Sequence, residues 1–117
     1  MAAPNLINSS AIYGKTAVQT VTTSATAIVT NSAASGKVLK VNALYVANVD
    51  GTSNADITAD VYRSSTAYRI ASTMAVPADG SISLLDQPIY LEEGDSLRLT
   101  ASANGDLEAV CSYEDIS

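Results

Sequence analysis

The chain has 117 residues, room for one domain and a short arm but not for two domains. Six Lys and Arg against twelve Asp and Glu leave a net charge of −6, the wrong sign for binding a phosphate backbone. There is no histidine and a single cysteine, Cys111, which excludes imidazole base catalysis, an intrachain disulfide and a cysteine-rich zinc site.

For this length, surface scaling gives about 6,000 Å² folded against about 17,000 Å² unfolded, so roughly 65% is buried, enough for a core without staples. No run approaches the roughly 18 apolar residues of a membrane helix, and the uncharged start Met1-Ala2-Ala3-Pro4-Asn5 lacks the basic region of a signal peptide. Neither a nucleic acid nor a membrane is expected as a partner. Ala, Ser and Thr dominate, Phe and Trp are absent, and all six aromatics are tyrosines. Such a palette builds a thin core on pleated surfaces, which leaves room for help from neighbouring chains.

Residues 1–10 show no alternation. They read either as a frayed terminus or as an arm docking on an adjacent subunit, with Leu6, Ile7 and the nearby Ile12 as anchors. Residues 11–117 then form the body. Thr16–Thr22 and Thr26–Asn31 are strand candidates rich in Thr, Val and Ile. Lys37–Val49 is long enough for one bent strand, apolar on both faces near Leu44–Val46 and hence central. Ile57, Ala59 and Val61 alternate with Asp56, Thr58, Asp60 and Tyr62, the period of two of a strand with one wet face. Tyr68–Val76, Ser81–Leu85 and Ile89–Leu91 follow. Leu97, Leu99, Ala101 and Ala103 share one face of the next strand, and Leu107, Ala109, Cys111 and Tyr113 one face of the last, which runs almost to Ser117.

Turn residues fall between these runs at Ser35-Gly36, Asp50-Gly51, Asp79-Gly80, Gly94-Asp95 and Asn104-Gly105. Asn104-Gly105 gives the strongest hairpin signal, because both residues tolerate positive φ. Eight or nine short strands and no convincing helix mean an all-β fold, an antiparallel β-sandwich of jelly-roll or immunoglobulin-like type.

Chemistry is sparse. Cys111 lies on the inward register, where a thiol acts as a small apolar group. The clusters Glu92, Glu93, Asp95 and Asp50, Asn54, Asp56 lack the terminal bidentate Glu of a helix-flanked calcium loop and read as turn formers. No catalytic residue, metal site or cofactor is therefore assigned. Tyr62 sits on the wet face of its strand, either as a cross-strand partner or, with Arg63 or Arg69, as a protein-contact patch.

Three stretches carry a resemblance: Ile12-Tyr13-Gly14-Lys15-Thr16, Gly36-Lys37-Val38-Leu39-Lys40-Val41-Asn42-Ala43-Leu44-Tyr45-Val46-Ala47-Asn48, and Tyr90-Leu91-Glu92-Glu93-Gly94-Asp95-Ser96-Leu97-Arg98-Leu99-Thr100-Ala101-Ser102, closing on Ser112-Tyr113-Glu114-Asp115-Ile116. Over nearly its whole length the chain resembles the small virion structural proteins of tailed phages, particularly those of marine bacteria and cyanobacteria. The resemblance implies a non-enzymatic, many-copy virion component. A capsid decoration or cement protein contacting the major capsid protein or other virion proteins is the first expectation. A neck, tail or fibre part is the second. A homo-oligomer is expected, with a trimer as the simplest guess. From a different class, a glycan-binding attachment module would use the loops Asp50–Asn54 and Asn104–Asp106.

Overall fold

The computed structural model describes residues 5–117; the first four residues of the expected arm lie outside it. A 3-10 turn, Leu6–Asn8, precedes nine strands: β1 Ile12–Thr20, β2 Thr26–Thr30, β3 Val38–Asn48, β4 Ala55–Arg63, β5 Thr66–Val76, β6 Ser81–Ser83, β7 Ile89–Leu91, β8 Ser96–Ala101 and β9 Leu107–Ile116. One sheet runs β1-β9-β3-β6, with β7 also on β3; the other runs β2-β8-β4-β5. Every pairing is antiparallel. The fold is an all-β sandwich, as the alternating runs require.

The core lies between the sheets. Leu44, Val46, Leu107, Ala109 and Cys111 from one layer meet Ile57, Ala59, Leu97 and Leu99 from the other. These are the inward positions of the period-two runs, so burial of one face per strand accounts for both the pattern and the layering. With no Phe or Trp, the filling is Leu, Val, Ile and Ala, whose methyl groups interdigitate across a thin gap.

The strand order differs from that of the immunoglobulin type. In immunoglobulin-type sandwiches the first two strands neighbour each other in one sheet. Here β1 and β2 lie in different sheets, and so do β2 and β3, β3 and β4, and β8 and β9. The chain passes from layer to layer at nearly every connection.

That rule corrects one expectation. Asn104-Gly105 does form a turn, with Gly105 at φ 81, but the strands flanking it do not form a hairpin. β8 pairs with β2 and β4, whereas β9 pairs with β1 and β3. Both strands are central and each needs its apolar face on the core, so they stand across from each other instead of side by side. The tight hairpin joins β4 to β5 through Ser64-Ser65, both at positive φ (51 and 62), the backbone geometry that matches strand twist in two-residue loops. Two further details differ. β1 starts at Ile12, four residues earlier than its apolar run suggested. β3 is central but not covered on both faces, since Tyr45 is 52% exposed between buried Leu44 and Val46.

Candidate interaction surface

Three carboxylates, Asp60, Asp95 and Asp115, are buried, and each is paired with a partly exposed cation. Arg63, at the end of β4, donates from Nε to Asp95 Oδ1 at 2.7 Å and from Nη2 to Glu92 Oε2 at 2.9 Å. Asp95 also accepts from the Glu92 backbone N–H at 2.9 Å and is 1% exposed. The Arg63 guanidinium holds the Asp95 carboxyl below its usual range, against the opposing push of burial, and Asp95 in turn raises the Arg63 pKa. Burial pushes the Asp115 carboxyl up, but hydrogen bonds from Lys37 and Lys15, each at 3.2 Å, outweigh it and leave it lowered. Lys15 belongs to β1, so Asp115 ties that strand to the body of the fold.

Of the residues singled out in the sequence, Tyr62 is half-buried. The Arg98 guanidinium lies 3.9 Å from its ring centroid while its Nε donates to the buried Asp60 at 3.0 Å. Asp60 and Arg98 are directly opposed across β4 and β8, a pairing that sequence reasoning missed. Two wet-face charges of opposite sign on neighbouring alternating strands were the available signal. Arg69 stands opposite Asp60 on β5 and forms no ion pair among the described residues. Leu6 and Ile7 lie on the 3-10 turn, where Asn5 Oδ1 accepts from the Ile7 N–H at 3.0 Å. Ile7 is 90% exposed, whereas Ile12 is already inside β1. Ile12 on β1 and Tyr62 on β4 lie in different sheets.

The other polar candidates hold loop backbone, Asp50 within its own turn and Asn54, Glu93 and Asn104 across to other segments. Asp50 Oδ1 accepts from Thr52 N–H and Oγ1, Asn54 Oδ1 from Ala78 N–H, Glu93 Oε2 from Gly36 N–H, and Asn104 Oδ1 from Thr23 N–H. Burial pushes the Cys111 thiol up to about 11, so it stays protonated near neutral pH. A groove of ≈ 320 Å³ opens between β5 and β7, lined by Val61, Ile70, Ile89, Tyr68, Tyr90 and Arg63.

The outer face of the β1-β9-β3 layer has a different character. Val18, Val110 and Tyr45 are directly opposed across the three strands and are 74%, 41% and 52% exposed. The neighbouring rows are Thr16, Ser112, Ala43 and Thr20, Glu108, Ala47. Glu108 is the one charge in these three rows. An exposed apolar row in a small-residue, nearly uncharged surround is the kind of surface that protein contacts cover.

No protein family matches the chain, and none of the curated proteins does. Among solved structures it is similar to a Bacillus endospore appendage, described as one of a family of disulfide-linked pili, at 14% identity and TM-score 0.53, covering 98% of this chain and 95% of that one. It is also matched to a pentameric capsid protein from metagenomic phage sequences at 21% identity and TM-score 0.39, covering 95% of this chain and 62% of that one. The first likeness supports the two-layer β fold. Neither names a marine or cyanobacterial phage.

Proposed function

We propose that the chain is a non-enzymatic structural protein of a phage virion, acting as a decoration or cement protein on the outer face of the capsid shell. The strand order is read as a jelly roll, with residues 11–117 as its one domain and residues 1–10 as an arm. The observation that carries the contact role is the Val18-Val110-Tyr45 row. A monomeric surface gains nothing from a valine left three-quarters in water, whereas an assembled one buries it at about 25 cal/mol per Å². Small Ser, Thr and Ala side chains around the row let a partner surface approach closely, and each contact can be weak when one copy touches several capsomers. The net charge of −6 keeps free copies apart and away from the packaged genome. The resemblance of the three sequence stretches points to the virion as the place where this surface is used.

The test is co-purification with tailless heads separated from intact particles. The protein is expected to stay with the heads, and Val110→Glu, exposed and outside the core, should lower its occupancy there at least tenfold without changing its fold. Recovery only with tails or fibres would move the role to those parts. Glycan binding at multivalent display, with no retention on either particle fraction, would replace the structural reading.

A further inference from the structure

The geometry points to a two-fold pairing of this chain with a second copy through the free edge of β1, which joins the two β1-β9-β3 layers into one continuous sheet. Ala11 and Ser117 exchange both backbone bonds, and Val21 N–H bonds Leu107 O. Antiparallel alternation then assigns the odd residues from Tyr13 to Gln19 to the β9 ladder and turns the N–H and C=O of Ile12, Gly14, Thr16, Val18 and Thr20 outward. All five are exposed, and no strand among the described residues pairs with them. The register with β9 runs unbroken from Ile12 to Thr20, without bulge or proline, the condition in which an edge accepts another strand.

The occupant follows by elimination and by fit. β2 is short and carries a register shift, β5 carries two, and β6 and β7 have three residues each. Among the described residues, only β1 offers another copy a long unbroken ladder. An antiparallel two-fold centred on Thr16 sets Thr16 against Thr16, Gly14 against Val18, and Ile12 against Thr20, using every outward group in about ten backbone bonds. Gly14, where an added Cβ would meet nothing within 4 Å, leaves room for the exposed Val18. On the inner register Tyr13 comes opposite Gln19, whose Oε1 is buried without a hydrogen-bond partner. Lys15 faces Ala17, not another lysine, and is held by Asp115 on its own chain. The association is two-fold, not the three-fold arrangement expected from the sequence, and it stands independently of the virion reading.

The test is sedimentation of the full chain from micromolar to millimolar concentration, with directed cross-linking. A reversible dimer is expected. Thr16→Cys should give a disulfide dimer under mild oxidation, because opposed residues of a bonded pair lie about 5.5 Å apart, within the span of about 4.4–6.8 Å that a disulfide bridges. Ser72→Cys on β5 should not cross-link, and buried Cys111 does not compete. Val18→Pro removes an outward N–H and leaves the β9 ladder intact, so the dissociation constant should rise at least tenfold. If that variant fails to fold, Thr16→Lys sets two like charges across the axis with the same expected rise. A chain monomeric throughout, a dimer indifferent to Thr16→Lys, or Thr16→Cys that stays uncross-linked would each overturn the proposal. Loss of the protein from virions with the dimer intact would overturn the virion reading alone.

Discussion

β1 and β5 are both edge strands, one on each sheet, yet they meet solvent differently. β5 takes two extra residues relative to β4, Ile70 and one within Ser72-Thr73. Thr73 sits at φ 46, and its N–H turns to the Thr58 hydroxyl at 3.0 Å. A β-branched residue in the left-handed region is strained, and the two extra residues interrupt the regular ladder that an incoming strand would need. β1 has no such device: its nine residues pair in an unbroken register and its outer groups stay open. One edge is built against pairing and the other is built for it. The difference assigns assembly to the β1 layer and leaves β5 as a guarded flank over the Tyr68-Tyr90 groove.

The largest way to disturb the guarded flank is Arg63→Ala. Arg63 lies beside the β4–β5 hairpin and bonds Asp95 in the turn before β8. Its removal leaves a buried carboxylate without its cation, a loss of about 3 kcal/mol of unfolding free energy, read as a lower midpoint in urea. Self-association through β1 should be unchanged, and a parallel loss of dimer would mean that the two edges are not independent.

Asp115→Asn acts on the open edge and costs less, about 1.5 kcal/mol, because the two half-exposed lysines it releases return to water. Hydrogen exchange at the amides of Lys15 and Ala17 should quicken while those of β8 stay slow. The two carboxyls also set the acid limb. Both Asp95 and Asp115 have folded pKa values below the ordinary 3.8, so the folded state binds fewer protons than the unfolded chain. Their stabilisation is complete above about pH 5 and declines as pH falls through 3.8 toward the folded values. Urea midpoints measured from pH 6 to 2 should fall in the native chain and fall less in either Asp95→Asn or Asp115→Asn.

What could be read from the sequence follows from the same contrast. β4, β8 and β9 press one face on the core and wet the other, so Ile57-Ala59-Val61, Leu97-Leu99-Ala101 and Leu107-Ala109-Cys111 stand out as alternation. The first residues of β1, Ile12-Tyr13-Gly14-Lys15, are exposed on both registers, so burial imposes no pattern there and the strand start is invisible. The partners of β8 and β9 were equally hidden. A period of two says which face is buried, but nothing about which strand lies alongside. Hence Asn104-Gly105 looked like a hairpin although it links two layers. The contact residues meet the same limit: the sequence marks Arg63 and Tyr62 by type and position, while their contacts with Asp95 and Arg98 depend on segments far away in the chain. Val18, Val110 and Tyr45 form a row only once three strands are in register.

Ser64-Ser65 gives the smallest and most local test, again on the β5 side. Both serines occupy the left-handed region, which costs an ordinary L-residue roughly 1–2 kcal/mol, yet neither advertises a turn as Asn-Gly would. The hairpin therefore forms because β4 and β5 are held by their neighbours, with the loop carrying strain. Replacing the pair by Asn-Gly removes that strain and leaves Arg63 and Thr66, the flanking partners, in place. A gain of about 1 kcal/mol is expected, part of it offset by the greater freedom of glycine in the unfolded chain, and Tm should rise by about 4 °C. The β1 edge should associate as before. If Tm instead falls, the serines are held by contacts that the strain argument omits, and the β5 flank is braced at its turn as well as by its bulges.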